Sequence, residues 1–280
     1  MTDARTMDKS GTDGAGEPAV LREQTGRVLT LTMNRPKACN AMNKPMYRGI
    51  IEAMEEAQRD PGVGCVVLTG RGKYFAAGKD MKELNAERQT PLEAIEQRLS
   101  SPETASYFYN YLSSYRLPLI TAINGPAIGG GAITAFLGDI SIAASDVYFS
   151  LPELDRGVTA VGATLVFPKL VSRAKGMPLV LTARKFSADE ADRIGLISMV
   201  VEPGKVMEVA QQMAEDISLK STTAIRFFKM ALQAGPWADN PAADIAREAL
   251  RSLAETPERF EATERIVEQI DSSRRPRAST

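Results

Sequence analysis

The chain has 280 residues, with 34 Lys and Arg, 35 Asp and Glu, and no histidine. The absence of histidine excludes Ser-His-Asp and Cys-His catalysis and metal sites built on imidazole. The net charge of −1 gives no reason to expect a nucleic-acid or membrane partner, and the two cysteines, Cys39 and Cys65, fit a reducing, cytoplasmic setting.

Short apolar runs alternate with helical patterns along most of the chain. Residues 1–18 are polar and lack an apolar segment, which predicts a disordered tail. We expect a helix over 44–59, capped by Asn43, and a charged helical stretch over 81–115. Strands are expected over 27–33, 65–69, 119–123, 139–144, 147–150 and 197–201. This alternation is typical of an α/β fold with glycine-rich turns at the strand ends.

Residues 117–138 carry no charge and are long enough, by count alone, to span a bilayer. Pro118, Pro126 and the glycine triplet at 129–131 would interrupt a membrane-spanning helix. The segment is therefore predicted to form a buried strand, a tight loop and a buried helix over 132–137.

Helical patterns follow one another after Pro203. We expect helices over 206–219, 222–232 and 242–270. Because no clear linker precedes them, we predict one core over 19–205, followed by a helical region over 206–280 that contacts other subunits.

The glycine triplet lies between a predicted strand and a predicted helix. Glycine lets backbone N–H groups approach a ligand closely, so this loop could hold a phosphate or an oxyanion that develops in a reaction. The spacing of a Walker motif is not met, and no dinucleotide fingerprint occurs between a strand and a helix. Close packing of the helix is the structural alternative for the triplet.

Four segments, in order and at matching spacing, resemble the enoyl-CoA hydratase/isomerase (crotonase) superfamily. They are MNRPKACNAMN (33–43), VVLTGRGKYFAAGKDMKEL (66–84), ITAINGPAIGGGAITAFLGDISIA (120–143) and FSLPELDRGV (149–158). The resemblance implies the α/β crotonase fold, a spiral of ββα units followed by C-terminal helices. It also implies a homotrimer or hexamer that acts on acyl-CoA thioesters, with coenzyme A as part of the substrate and with no prosthetic group or metal.

Members of the superfamily use two backbone N–H groups to stabilise the enolate that forms when a thioester loses its α-proton. The resemblance places these donors on Lys79 and Gly130, and backbone donors of this kind typically contribute about 3–4 kcal/mol each. Cys39 is interpreted as a small packing residue, since no histidine could activate it as a nucleophile. The resemblance also assigns contacts with the coenzyme A moiety to Lys37, Ala38, Cys39, Ala77 and Asp80, with Lys229 as a further candidate.

Hydratases of the superfamily use two glutamates to add water across the α,β double bond, and this chain matches only one of them. Glu153 is present, whereas Ile133 replaces the glutamate expected three residues after Gly130. A single glutamate is the arrangement of Δ3,Δ2-enoyl-CoA isomerases, in which one carboxylate removes a proton at C2 and returns it at C4. Desolvation would raise the pKa of Glu153 toward the working range; an ion pair with Arg156 is its structural alternative.

Three functions therefore stay open at this point. We expect an enoyl-CoA isomerase with Glu153 as its acid/base. The alternatives are an enoyl-CoA hydratase that places water by other groups, and a scaffold subunit that binds coenzyme A weakly. Asp80, Asp139 and Asp155 are further carboxylates within the matched segments. Residues 157–162, where dienoyl-CoA isomerases carry an additional Asp, contain no acid.

Overall fold

The computed structural model describes residues 17–86, residues 101–233 and Glu264. The strands are β1 (Val20–Thr25), β2 (Val28–Met33), β3 (Cys65–Gly70), β4 (Leu119–Ile123), β5 (Ala127–Ile128), β6 (Ile140–Ala144), β7 (Tyr148–Ser150), β8 (Phe186–Ser187) and β9 (Met199–Val201). The helices are α1 (Lys44–Arg59), α2 (Met81–Ala86), α3 (Ala105–Ser113), α4 (Gly130–Phe136), α5 (Val161–Leu170), α6 (Arg173–Thr182), α7 (Ala188–Arg193), α8 (Val206–Ser218) and α9 (Thr222–Gln233).

Six strands form the main sheet, in the order β1-β2-β3-β4-β6-β9. The pairing of β1 with β2 is antiparallel, and the other four pairings are parallel. Every residue of the central strand β3 is buried, and its continuous apolar run is typical of a parallel strand covered on both faces. Because β3 and β4 are parallel neighbours, their carboxyl ends lie at one edge of the sheet, and the loops that follow them meet there.

Helix α1 begins at the residue that the sequence predicts. The side chain of Asn43 accepts a hydrogen bond from the Met46 amide at 3.1 Å, and such a cap typically stabilises a helix by about 1 kcal/mol. Tyr47, Ile50 and Met54 are buried along one face, which packs against β1 and β2. Burying each side chain of this size typically stabilises the fold by about 1.5–3 kcal/mol.

A second sheet of three short strands, in the order β5-β7-β8, lies beyond the end of β4. Its register pairs Ile128 with Ser150, and the Gly129 amide donates a hydrogen bond to the Ser150 carbonyl at 2.8 Å. The rings of Phe149 in β7 and Phe186 in β8 stack on one another, with centroids 5.6 Å apart. This register fixes the glycine triplet beside the segment that follows β7.

Several parts of the fold differ from the expectations. Strand β1 is absent from the predicted strands. The stretch over 81–115 is not one helix, because the side chain of Thr104 caps a new helix, α3, and residues 101–104 are not helical; residues 87–100 lie outside the described chain. Helices α5 and α6 are also unpredicted, and they contain Pro168 and Pro178.

The uncharged segment 117–138 forms the predicted strand, β4, and the predicted buried helix, α4, which begins at Gly130 rather than at 132. The loop between them contains the short strand β5, which the sequence does not predict. None of the described helices is both long and apolar enough to cross a membrane.

The chain divides into two units, residues 1–219 and residues 220–280. The first unit contains both sheets and helices α1 to α8, and the second contains α9. Helices α8 and α9 confirm the two helical predictions that begin at 206 and 222. Residues 1–16 of the predicted tail, and the helix expected over 242–270 apart from Glu264, lie outside the described residues. A role of the C-terminal helices in subunit contacts stays a prediction.

Candidate active site

A cavity of about 420 Å³ lies where the loops after β3 and β4 meet. Its walls come from four parts of the chain, within 77–81, 105–109, 129–133 and 153–162. Most of these wall residues are small or apolar, and a few polar groups converge on the interior. An apolar pocket with a few convergent polar groups is the usual form of a small-molecule site.

Backbone bridges join the loop after β3 to the loop before α1 and to the residues before the glycine triplet. Met42 pairs with Lys79, and Ala76 pairs with Ala127, both in parallel register. The Ile128 amide donates a hydrogen bond to the Ala76 carbonyl at 2.9 Å. The loop after β3 is therefore tied to the residues just before the glycine triplet.

The amide nitrogens of Lys79 and Gly130 lie close together on the cavity wall. A Cβ atom placed on Gly130 would lie 3.7 Å from the Lys79 nitrogen, and one placed on Gly78 would lie 3.2 Å from the Gly130 nitrogen. Gly130 is the first residue of α4, a position where the backbone N–H has no acceptor within the helix. The two amides are therefore near one part of the cavity wall, and their role as oxyanion donors stays a prediction.

The glycine triplet serves packing as well as the cavity. A Cβ atom on Gly131 would lie 2.1 Å from the Ala76 carbonyl oxygen, so only glycine fits at that point of contact. Gly130, one residue earlier, lines the cavity instead. Close packing therefore accounts for Gly131, whereas the oxyanion role of Gly130 stays a prediction.

Glu153 follows β7 and brings a carboxylate to the cavity wall. A Cβ atom on Gly129 would lie 3.1 Å from its Oε1, so the carboxylate sits against the glycine turn. Its Oε2 is buried and has no hydrogen-bond partner among the described residues. Burial raises the pKa of Glu153, while its own backbone N–H and the charge of Arg156 oppose the rise. The pKa of this carboxyl group is therefore closer to neutral pH than that of an exposed glutamate.

Ile133 occupies the cavity wall one turn after Gly130 and is 1% exposed. A Cβ atom on Gly162 would lie 2.8 Å from both Cγ1 and Cγ2 of Ile133, so the side chain packs directly on that backbone. Hydrocarbon thus fills the place where a hydratase of the superfamily is expected to carry its first glutamate.

The other candidate carboxylates are engaged or distant. Asp80 forms an ion pair with Arg35 at 2.9 Å. Burial alone would raise its pKa, but hydrogen bonds from Arg35 and the Lys82 amide outweigh that effect and lower the pKa. Asp139 accepts a backbone hydrogen bond at the start of β4, at the opposite edge of the sheet, and Asp155 is exposed and outside the cavity wall.

The residues predicted to contact coenzyme A fall into two groups. Lys37, Ala38 and Cys39 form a short turn whose last carbonyl accepts a hydrogen bond from the Ala77 amide at 3.0 Å, so this turn lies next to the loop of Lys79 and Asp80. Cys39 is a free, half-buried thiol. Lys229 lies in α9 of the second unit. Their contacts with coenzyme A stay a prediction.

Tyr109 is a cavity residue that the sequence analysis does not identify. It lies on α3 and is 5% exposed, and its Oη would be 2.2 Å from a Cβ atom placed on Gly130. In the sequence, Tyr109 is an aromatic residue at helical spacing, and this pattern predicts only core packing. Only the packing of α3 against α4 brings the hydroxyl group to the glycine turn.

The arrangement can support one kind of chemistry with the groups that it holds. Two backbone donors are placed to bind an oxygen that gains negative charge, and one desolvated carboxylate can accept and return a proton. Among the described residues, no group of three or more Cys, Asp and Glu side chains could hold a metal ion.

The chain is similar to known proteins over most of its length. A sequence model described as Enoyl-CoA hydratase/isomerase matches residues 23–270. The chain is 36% identical to a short-chain-enoyl-CoA hydratase of Clostridium acetobutylicum, over 79% of this chain and 83% of the relative. It is 32% identical to a 1,2-epoxyphenylacetyl-CoA isomerase of Escherichia coli, over 73% and 78%.

The fold is similar to that of solved enoyl-CoA hydratases. The crystal structure of the enzyme from Mycobacterium tuberculosis H37Rv matches 93% of this chain and 98% of its own, with a TM-score of 0.78 and 32% identity. This likeness confirms the predicted crotonase fold.

Proposed function

The chain belongs to the enoyl-CoA hydratase/isomerase (crotonase) superfamily, and we propose that it moves the double bond of a 3-enoyl-CoA thioester into conjugation with the carbonyl group. Glu153 is the acid/base, and the backbone amides of Lys79 and Gly130 bind the carbonyl oxygen. One observation carries this proposal: Glu153 is the single carboxylate among the described residues that line the cavity.

The proposed reaction needs one proton carrier and no added water. In the first step, the Glu153 carboxylate takes a proton from C2, and the C–H electrons form a dienolate whose charge rests on the thioester oxygen. In the second step, the resulting carboxylic acid returns the proton to C4, and the double bond forms between C2 and C3. The two amide donors stabilise the dienolate between these steps.

The raised pKa of Glu153 supports this role. A base is most effective when its pKa lies near the working pH, and burial shifts this carboxyl group in that direction. Asp80 is unsuited to the same task, because its ion pair with Arg35 stabilises the charged form and makes it a weaker base. The environment of each carboxylate therefore favours Glu153 as the proton carrier.

A hydratase is the second candidate, and the printed name of the Clostridium relative favours it. Concerted hydration requires a group that orients or activates water beside the double bond. Ile133 cannot do so, and it packs on Gly162 where such a group is expected. The name of the Escherichia coli relative, an isomerase of a CoA thioester, shows that enzymes similar to this chain are not confined to hydration.

The remaining features of the proposal follow the superfamily. Coenzyme A enters as part of the substrate, with its contacts at Lys37, Ala38, Cys39, Ala77 and Asp80, and with Lys229 as a further contact. We also propose a homotrimer or hexamer in the cytoplasm.

The test is product identification with matched pairs of 2-enoyl-CoA and 3-enoyl-CoA thioesters of several chain lengths. We expect the 3-enoyl thioesters to give a product of unchanged mass with a conjugated double bond. A product heavier by one water from the 2-enoyl thioesters, formed faster than the isomerised product, would establish the hydratase instead.

A further inference from the structure

We propose that the hydroxyl group of Tyr109 is a third hydrogen-bond donor to the enolate oxygen, beside the backbone amides of Lys79 and Gly130. The inference rests on the proposed function in that the reaction must pass through an enolate. It does not depend on whether the enolate is then protonated at C4 or belongs to a hydration.

The position of the hydroxyl group carries the proposal. The point where a Gly130 Cβ would lie is 2.2 Å from Tyr109 Oη and 3.7 Å from the Lys79 nitrogen, and Gly130's own amide adjoins it. One backbone amide from each glycine loop and one side-chain hydroxyl group therefore converge on a single part of the cavity. An oxygen bound by the two amides lies within reach of the third donor.

The ring of Tyr109 is held in place from several sides. Helix α3 packs against α1, α4 and α5. Within it, the ring of Phe108 meets Tyr109 edge-on with centroids 5.9 Å apart, and Phe108 in turn packs on Tyr47 at 5.1 Å. A donor fixed by packing needs little reorganisation when charge develops, which is the condition under which such donors act best.

The hydroxyl group keeps its proton in this position. Burial raises the pKa of Tyr109 above its ordinary value, the charge of Glu153 raises it further, and the hydroxyl group of Tyr47 opposes the rise. Tyr109 is therefore a neutral donor at every pH at which Glu153 works as a base. A neutral hydroxyl donor beside a carboxylate base suits proton transfer along an allylic system, where one group moves the proton and the other stabilises the dienolate.

The first experiment separates enolate binding from thioester binding in Tyr109→Phe. Acetoacetyl-CoA forms an enolate that absorbs in the near ultraviolet, whereas butyryl-CoA, a saturated thioester, reports binding alone. We expect the variant to bind the acetoacetyl-CoA enolate about tenfold or more weakly, because hydrogen bonds to charged groups are worth that much. Its affinity for butyryl-CoA should be unchanged, and kcat with 3-enoyl-CoA should fall about 100-fold.

Tyr111→Phe is the matched control. Tyr111 lies on the same helix, but its hydroxyl group accepts a hydrogen bond from Gln58 at 3.2 Å and is outside the cavity wall. The control should keep both the enolate affinity and kcat. If Tyr109→Phe also keeps them, or loses butyryl-CoA affinity as much as enolate affinity, Tyr109 only shapes the pocket and the inference is wrong. If Tyr109→Phe loses enolate affinity but the wild type does not isomerise 3-enoyl-CoA, the donor role of Tyr109 is upheld and the proposed reaction is rejected.

A second experiment tests the juxtaposition itself through stability. In the wild type, Gly130→Ala would place a Cβ atom 2.2 Å from Tyr109 Oη, so the variant should melt at a clearly lower temperature. In the Tyr109→Phe background the nearest ring atom is 3.5 Å from that Cβ, an ordinary contact, and Gly130→Ala should then have little effect. Equal losses of Tm in both backgrounds would show that the hydroxyl group is not beside Gly130.

Discussion

Asp80 and Glu153 both lie at the ends of loops that build the cavity, but their surroundings differ. Asp80 has an ion pair with Arg35 and a backbone donor, which lower its pKa despite its burial. Glu153 has a buried oxygen with no hydrogen-bond partner among the described residues, and burial raises its pKa. The first carboxylate is held in its charged form, whereas the second can exchange a proton.

The difference shows how one fold assigns opposite tasks to two acidic residues. Around Asp80, backbone hydrogen bonds join the loops at 39–42 and 77–80. The ion pair of Asp80 with Arg35 stabilises this local structure. Around Glu153, Oε1 lies against the glycine turn, and the buried Oε2 has no hydrogen-bond partner among the described residues. A missing partner destabilises the ionised form and thereby makes the carboxylate a better base.

The largest effect on kcat is expected when the Glu153 carboxylate is replaced by an amide. Glu153→Gln should reduce kcat with 3-enoyl-CoA by about 10²–10⁴, because it removes general acid–base catalysis. Thioester affinity should change little, since the cavity walls are retained. Asp155→Asn, in an exposed neighbour outside the cavity wall, is the control and should retain wild-type turnover.

Removal of the Gly130 backbone N–H should have the next largest effect on kcat. Gly130→Pro removes the backbone N–H, and Gly130→Ala introduces the same Cβ atom but keeps the N–H. Comparing the two in the Tyr109→Phe background, we expect the proline variant to have a kcat lower by about 10²–10³. Lys79→Ala keeps its backbone N–H and should lose much less. Equal kcat values for the two Gly130 variants would contradict the assignment of the donor.

Asp80→Asn and Glu153→Gln should change the free energy of unfolding in opposite directions at neutral pH. Asp80→Asn should destabilise the protein by about 1–3 kcal/mol, since it leaves the Arg35 guanidinium without its anionic partner. Glu153→Gln should stabilise it, because a buried charge without a hydrogen-bond partner at one oxygen is removed. Urea unfolding of both variants and the wild type measures these changes.

The pH dependence of those differences follows from the two pKa shifts. The contribution of Asp80 is present above the pKa of an unfolded aspartate and is lost as the pH falls through its lowered folded pKa. The penalty from Glu153 develops as the pH rises from the ordinary value of 4.5 through its raised folded pKa, so Glu153→Gln should gain nothing below that window. A gain from Glu153→Gln that persists in acid would have another cause.

The smallest effect concerns Arg156, whose charge lowers the pKa of Glu153. Arg156→Gln should move the acidic limb of the kcat/KM profile to higher pH, because the carboxylate then loses a favourable charge. Arg116→Gln replaces another exposed arginine, at the opposite edge of the main sheet, and should leave the profile in place. An unmoved limb in Arg156→Gln would mean that a group other than Glu153 controls it.

The buried central strands could be predicted from the sequence, whereas strand β1 and helices α5 and α6 could not. The runs that become β3 and β4 are continuous and apolar, because both strands are buried throughout. Strand β1 is an edge strand with partly exposed Arg22 and exposed Glu23, and its weak alternation gave no clear strand pattern. Pro168 and Pro178 predict helix ends rather than positions inside α5 and α6.

The residues of the candidate site also differ in whether the sequence predicts them. Lys79, Gly130 and Glu153 belong to segments whose order and spacing carry a family resemblance, and the structure brings all three to one cavity. Tyr109 has no such segment around it. Its position depends on how α3 packs against α4, a contact between distant parts of the chain that no local pattern specifies.

In the proposed reaction, one carboxylate moves one proton and no water is added. The decisive measurement is kcat/KM of the wild type for isomerisation of a 3-enoyl-CoA and for hydration of crotonyl-CoA, each repeated with Glu153→Gln. We expect isomerisation to be faster than hydration and to be lost in Glu153→Gln. Efficient hydration of crotonyl-CoA by Glu153→Gln would show that both the catalytic residue and the reaction are wrong.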